Sequence, residues 1–157
     1  MRPWLLILVL AVLAAAAFAG PEEEKTAAIR TRLEDALTEN GGPALLVFFA
    51  TDCVSCYEDL FEMRYLVDKN AWPVSIVGIA SGIREDLEVF LKKYAWPFPV
   101  VWDRKKAVFK RFGVRNAPFK LLLVGGEVFY RDDPYQEHGR RRAEIAAFLS
   151  GLFSRFR

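Results

Sequence analysis

The sequence predicts an α/β fold, a mixed sheet flanked by helices, and three observations carry that expectation. Helical periodicities alternate with short continuous apolar runs, as parallel strands covered on both faces require. A Gly125-Gly126 pair between two strand-like runs closes that alternation with a hairpin, which adds an antiparallel edge. With 53% hydrophobic, 14% aromatic and 27% charged residues in 157, the chain can bury one domain's core, and disorder, collagen-like repeats and coiled coil are excluded.

The elements follow in order. Arg2 precedes an apolar run from Leu5 to Ala19, and Glu22, Glu23 and Glu24 come soon after, the layout of a secretory signal peptide. Ala17-Phe18-Ala19 offers small residues for cleavage before Gly20. An uncleaved anchor is the alternative, although the run is shorter than the ~20 residues that span a bilayer comfortably. Residues 1–19 are therefore expected to be a leader and 20–157 one exported domain, attached to a membrane only if the leader is retained.

Pro21, the three glutamates, then Ile29, Leu33 and Leu37 before Gly41-Gly42 predict a first helix from Glu22 to Asn40. Ala44 to Ala50 reads as a buried strand. Cys56, Leu60, Met63 and Val67 give a helix beginning near Cys53. Val74 to Ala80 is a second buried strand, and Leu87, Phe90, Leu91 and Tyr94 mark the next helix. Phe98 to Trp102 is a third strand, followed by a short helix around Val108 to Phe112. Phe119 to Val124 and Glu127 to Arg131 form the hairpin, and Ile145, Phe148, Leu149 and Leu152 face a closing helix.

A net charge of +2 predicts no nucleic-acid partner. Two cysteines and one histidine leave a structural zinc short of ligands, so no metal is expected, and the chemistry must rest on few residues. Cys53-Val54-Ser55-Cys56 lies where a strand passes into a helix. The pair could be buried thiols or half a metal site, but a thiol at a helix N-terminus faces unpaired N–H groups and the positive end of the macrodipole, which favour thiolate. On that reading Cys53 attacks a partner's disulfide, and Cys56, one turn inside, displaces the partner.

Phe48-Phe49-Ala50-Thr51-Asp52-Cys53-Val54-Ser55-Cys56 resembles the active-site strand and turn of the thioredoxin superfamily. Gly113-Val114-Arg115-Asn116-Ala117-Pro118, followed by a strand and Gly125-Gly126, resembles its proline loop. Between them, the helix and strand from Arg84 to Trp102 resemble the insertion of extracytoplasmic reductases of the TlpA and ResA kind. The resemblance implies a thioredoxin-like mixed sheet with a TlpA-type helix-strand insertion and thiol-disulfide oxidoreductase activity through a redox-active Cys53–Cys56 disulfide, with no other cofactor. It implies protein dithiol and disulfide clients, apocytochrome c or a copper-site assembly protein among them in some relatives, and a membrane electron donor. By the same resemblance Pro118 has a cis peptide bond beside the sulfurs, and Ala117 offers its backbone to an extended client segment; a strand-initiating proline is the plain alternative. Tyr57 and Phe119 should flank the sulfurs as an apolar rim.

Several residues depart from the family pattern. Asp52 stands where many relatives have Trp; it suits a helix N-cap, and its charge opposes a Cys53 thiolate, which favours a reducing couple. Ala117 replaces the usual Thr, and the TlpA-type N-terminal hairpin gives way to the predicted first helix. Val47 replaces the buried acid six residues before the first cysteine, leaving Glu58, Asp59 or water to accept the proton of Cys56. One of the two acids is the expected acceptor and pKa-tuning group, although acids on a helix surface are more often simply solvated. His138 is expected in solvent without a partner, and Arg140, Arg141, Arg142, Arg155 and Arg157 as a solvated basic face. Trp72, Trp96, Phe98 and Trp102 are assigned to packing. Thr51-Asp52-Cys53 lacks the threonine spacing of a peroxiredoxin. The competing functions are an oxidase of the DsbA kind and a binding module with a permanent structural disulfide.

Overall fold

The computed structural model describes residues 29–39 and 41–154. The leader, its cleavage site, the glutamate run, Arg155 and Arg157 lie outside those residues. Six strands form one sheet in the order β1-β4-β3-β2-β5-β6: β1 (Ile29–Arg30), β2 (Ala44–Ala50), β3 (Ser75–Ser81), β4 (Val100–Trp102), β5 (Phe119–Val124) and β6 (Glu127–Arg131). Pairing is parallel from β1 through β4 and β3 to β2, and antiparallel across β2, β5 and β6. This is the predicted mixed sheet with its antiparallel edge.

The helices are α1 (Leu33–Thr38), α2 (Val54–Asn70), α3 (Arg84–Lys93), α4 (Ala107–Arg111) and α5 (His138–Phe153). Period-2 alternation in the strands sorts the core into two layers. Leu45, Val47, Phe49 and Leu122 pack with Cys56, Leu60 and Met63 of α2, Leu87, Phe90 and Leu91 of α3, and Ile145 and Leu149 of α5. Leu46, Phe48, Leu121 and Leu123 face the opposite way and pack with Leu33 and Ala36 of α1 and Phe109 of α4. Trp96 is fully buried, and Trp72, Phe98 and Trp102 pack against the first layer, as the packing assignment requires.

The predicted first helix is corrected. Ile29 and Arg30 pair in parallel with Val100 and Val101, and the helix is confined to Leu33–Thr38. The spacing of Ile29, Leu33 and Leu37 suits a helix, but the open edge of β4 offers backbone hydrogen bonds that a β-branched residue accepts readily, so tertiary pairing overrides the local pattern. β4 is shorter than expected, starting after Pro99, which has no N–H to give the ladder. The short α4 owes its start to buried Asp103: its carboxylate accepts the N–H groups of Ala107 at 2.7 Å, Val108 at 2.8 Å and Phe109 at 3.0 Å.

One close approach fixes the end of β2. Gly82 has φ +115°, and a Cβ there would come within 2.3 Å of Thr51 Oγ1, the atom that accepts the Ile83 N–H at 3.2 Å. We expect Gly82→Ala to destabilise the protein by about 1–3 kcal/mol from backbone strain alone, with the steric overlap adding to it. A denaturation midpoint equal to that of the parent protein would contradict this.

Candidate active site

The turn after β2 is built by backbone hydrogen bonds. The Thr51 N–H donates to Ser81 O at 3.0 Å and the Cys53 N–H to Ala50 O at 3.2 Å, so the loop is tied to both central strands. Tyr57, one of the two aromatics of the predicted rim, donates its hydroxyl to Thr51 O and stacks on Phe90 with ring centroids 4.4 Å apart. Burial pushes its phenol pKa up, and the charges of Asp86 and Asp52 push the same way. Tyr57 is thus half-buried, a clamp between α2, α3 and the turn.

Cys53 occupies the N-cap position of the 17-residue α2, with extended backbone at φ −106° and ψ 102°. This corrects the expectation for Asp52, which is exposed one residue upstream and makes no cap; no side chain caps the helix. The Cys53 sulfur therefore stands where a capping oxygen would, and a thiolate there would accept from first-turn N–H groups. Cys53 is half-buried and Cys56 wholly buried. The two are joined with S–S 2.09 Å and Cα–Cα 5.3 Å, and Ser55 Oγ lies 3.5 Å from Cys53 Sγ.

The Ala117–Pro118 bond is cis, as the resemblance implied. Ala117 and Cys53 both pack, half-buried, on the core layer that contains Cys56. Phe119 does not join an apolar rim. It is buried in the opposite layer, edge-on to Phe48 at 6.4 Å, because β5 turns alternate residues to opposite faces. It also lines one wall of a groove of about 530 Å³ with Arg115, Asn116, Arg131 and Tyr135. Glu58 is exposed, in keeping with a solvated acid.

Asp59 departs most from a solvated helix acid. It is fully buried, three residues along α2 from Cys56 and therefore on the same helical face. Its Oδ2 accepts from Lys120 Nζ at 2.6 Å. Lys120 lies on β5 opposite Val47 of β2, so at the position where the acid is replaced by valine the adjacent strand supplies a buried cation. Lys120 Nζ is also 3.1 Å from Asp132 Oδ2, which accepts the Lys120 N–H at 2.9 Å and Arg141 NH2 at 2.8 Å. Arg141 NH2 donates in turn to Pro118 O. Tyr130 completes the cluster, donating to Asp132 Oδ1 at 3.1 Å; burial first, then the Asp132 charge, raises its phenol pKa far above the usual range.

The network links the cysteine helix, the proline loop, β5, the exit of β6 and α5. It overturns two expectations for the basic stretch: Arg141 is buried and not part of a solvated face, and His138 Nε2 lies 3.0 Å from Asp59 Oδ1. Arg142, half-buried, pairs with Glu62 of α2. Lys120, Asp132, Arg141 and His138 were absent from the sequence-based site. Lys120 left a signal, since a lysine within the apolar run Phe119–Val124 demands a buried counter-charge.

Among the described residues no helix is long and apolar enough to cross a membrane, and no group of three or more His, Cys, Asp or Glu could hold a metal ion. The fold is similar to that of a secreted Mycobacterium tuberculosis disulfide oxidoreductase homologous to E. coli DsbE, at 19% identity over 73% of this chain and 84% of that one, TM-score 0.56. StoA from Bacillus subtilis matches at 20% identity, 69% and 83% coverage and TM-score 0.55. The exposed lipoprotein thioredoxin of Streptococcus pneumoniae matches at 18%, 76% and 90%, TM-score 0.57. The thioredoxin-like fold is thereby established. No curated protein matches the chain. The model of the AhpC/TSA family matches residues 14–142, most of the chain, and the protein belongs to that family.

Proposed function

We propose that this protein is an exported thiol-disulfide oxidoreductase that reduces disulfides in extracytoplasmic client proteins, the cysteine pair of an apocytochrome c among them. The observation that carries the proposal is the placement of the pair: Cys53 half-exposed at the uncapped start of a long helix and Cys56 buried one turn inside, with a cis Ala117–Pro118 bond leading into the strand that pairs with β2. In the reduced protein the Cys53 thiolate attacks a client disulfide, forming a mixed disulfide and releasing one client thiolate. The Cys56 thiol yields its proton to Asp59, and the resulting thiolate attacks the Cys53 sulfur. The Cys53–Cys56 disulfide forms, the second client thiolate leaves, and two electrons have passed to the client. A membrane dithiol donor returns them.

Ala117 and Pro118 are the docking edge for the client backbone. The charge of exposed Asp52 beside Cys53 supports the reducing direction, because it disfavours the thiolate and so stabilises the disulfide. Equilibration with a defined dithiol/disulfide buffer tests the proposal. A reductase gives a potential near that of thioredoxin, about −270 mV, and an oxidase one near about −120 mV. A pair that resists mild dithiol in the folded state is a structural disulfide, and that result ends the redox assignment.

A further inference from the structure

We propose that His138 is the outlet through which the proton passed from Cys56 to Asp59 reaches solvent. The proposal rests on Asp59 being the acceptor, as argued above, and adds a second group to that path. The physical problem is general. A carboxylate sealed from water can take a proton once, but a cycling enzyme must give it back to bulk solvent, and Asp59 has no exposure of its own.

Two faces of the His138 side chain meet that need. Its Nε2 is buried, 3.0 Å from Asp59 Oδ1, and neither atom has an aligned hydrogen-bond partner among the described residues. Yet 31% of the side chain is exposed. The ring thus spans the boundary between the buried acid and water. Imidazole can take a proton on one nitrogen and release one from the other, which no other side chain here does near neutral pH. The pair stands close but out of line, an arrangement that a resting site often shows before its working hydrogen bonds tighten.

The charges around the pair fit the role. From β5, Lys120 holds the other oxygen of Asp59 and touches Asp132. Arg141, from the same helix as His138, holds Asp132, and Tyr130 of β6 donates to Asp132. Two buried cations balance two buried carboxylates, so the cluster is neutral when the imidazole is neutral. An extra proton on Asp59 or His138 makes it positive, a charge that release of the proton to water relieves. Glu62 and Arg142 pair across the same two helices and hold the His138 end of α5 against α2. In the complete step Cys56 loses H⁺ to Asp59, Asp59 passes it to Nε2, and the opposite ring nitrogen releases a proton to water. No electrons move along this path.

The test separates the two chemical steps. Reduced protein mixed with the aromatic disulfide dithiobis(nitrobenzoate) releases one coloured thiolate when Cys53 attacks and a second when Cys56 resolves the adduct. For His138→Gln and His138→Ala we expect an unchanged first phase and a second phase slowed roughly tenfold, less than the loss of a primary proton acceptor because water partly substitutes. Added imidazole should restore the second phase of His138→Ala in proportion to its concentration, which a purely structural role for His138 would not allow. A second phase as fast as that of the parent protein, or one slowed in both variants but indifferent to imidazole, overturns the outlet. Asp59→Asn distinguishes the failures: a slow second phase in that variant with fast His138 variants removes the outlet alone, whereas a fast one removes Asp59 as acceptor and the outlet with it.

Discussion

Replacing Cys56 with serine should turn the protein from a catalyst into a trap. The Cys53 nucleophile remains half-exposed at the start of α2, so attack on a client disulfide survives, but the buried hydroxyl cannot displace the client. Turnover should fall on the order of 10⁴-fold or more, the scale expected when one member of a cooperating catalytic unit is removed, while covalent adducts accumulate. Serine nearly matches cysteine in size, so the wholly buried site keeps its packing. Non-reducing electrophoresis of extract from cells that make the protein should show adducts that disappear in Cys53→Ser and on treatment with dithiol. Their absence under conditions where the parent protein turns over would remove the two-cysteine mechanism.

Lys120→Met should have the largest effect on stability. Lys120 Nζ lies 2.6 Å from Asp59 and 3.1 Å from Asp132, all three side chains fully buried. Methionine fills similar volume, but among the described residues Asp59 then keeps His138 alone beside it, while Asp132 retains Arg141. Breaking a buried ion pair from one side costs about 3–5 kcal/mol, because the charge left behind has been desolvated without compensation. Chemical denaturation should show that loss. A double variant, Asp59→Leu with Lys120→Met, should recover much of it, since replacing both partners by apolar groups removes the orphan charge. A single-variant loss below about 1 kcal/mol, the range of exposed pairs, would contradict a dry cluster.

The sequence spoke clearly wherever local pattern and tertiary structure agree. The hairpin strands Phe119–Val124 and Glu127–Arg131 fall on their predicted bounds, because the two glycines leave little choice of turn. The stripe of Cys56, Leu60, Met63 and Val67 faces the core as its spacing requires. What stayed hidden depends on distant partners. β1 forms only because β4, some seventy residues away, presents an open edge. Asp59 meets a lysine 61 residues away, and taken as one polar residue on a helix it looks solvated. Yet it sits on the apolar stripe, three residues after Cys56 and four before Met63, while Lys120 interrupts an apolar strand on the same face as Val47. Two opposite charges, each on a buried stripe, were a legible pair once the strand order was known. His138 was harder, because nothing local announces that the first residue of α5 reaches a carboxylate on α2.

The outer strand of the hairpin has a consequence for how copies of the molecule behave at high concentration. β6 is one of the two borders of the described sheet, with Val128 and Phe129 about half exposed, a surface that invites strand-to-strand stacking of neighbours. Two features spoil the template. The ladder slips between Leu122 and Leu123, twisting the border away from a flat comb, and Arg131 ties the strand's end to the loop after α4 by donating to Phe112 O at 2.7 Å and Gly113 O at 3.3 Å. Freed of that guanidinium staple, the end of the border would offer a neighbouring copy a longer run of unpaired backbone.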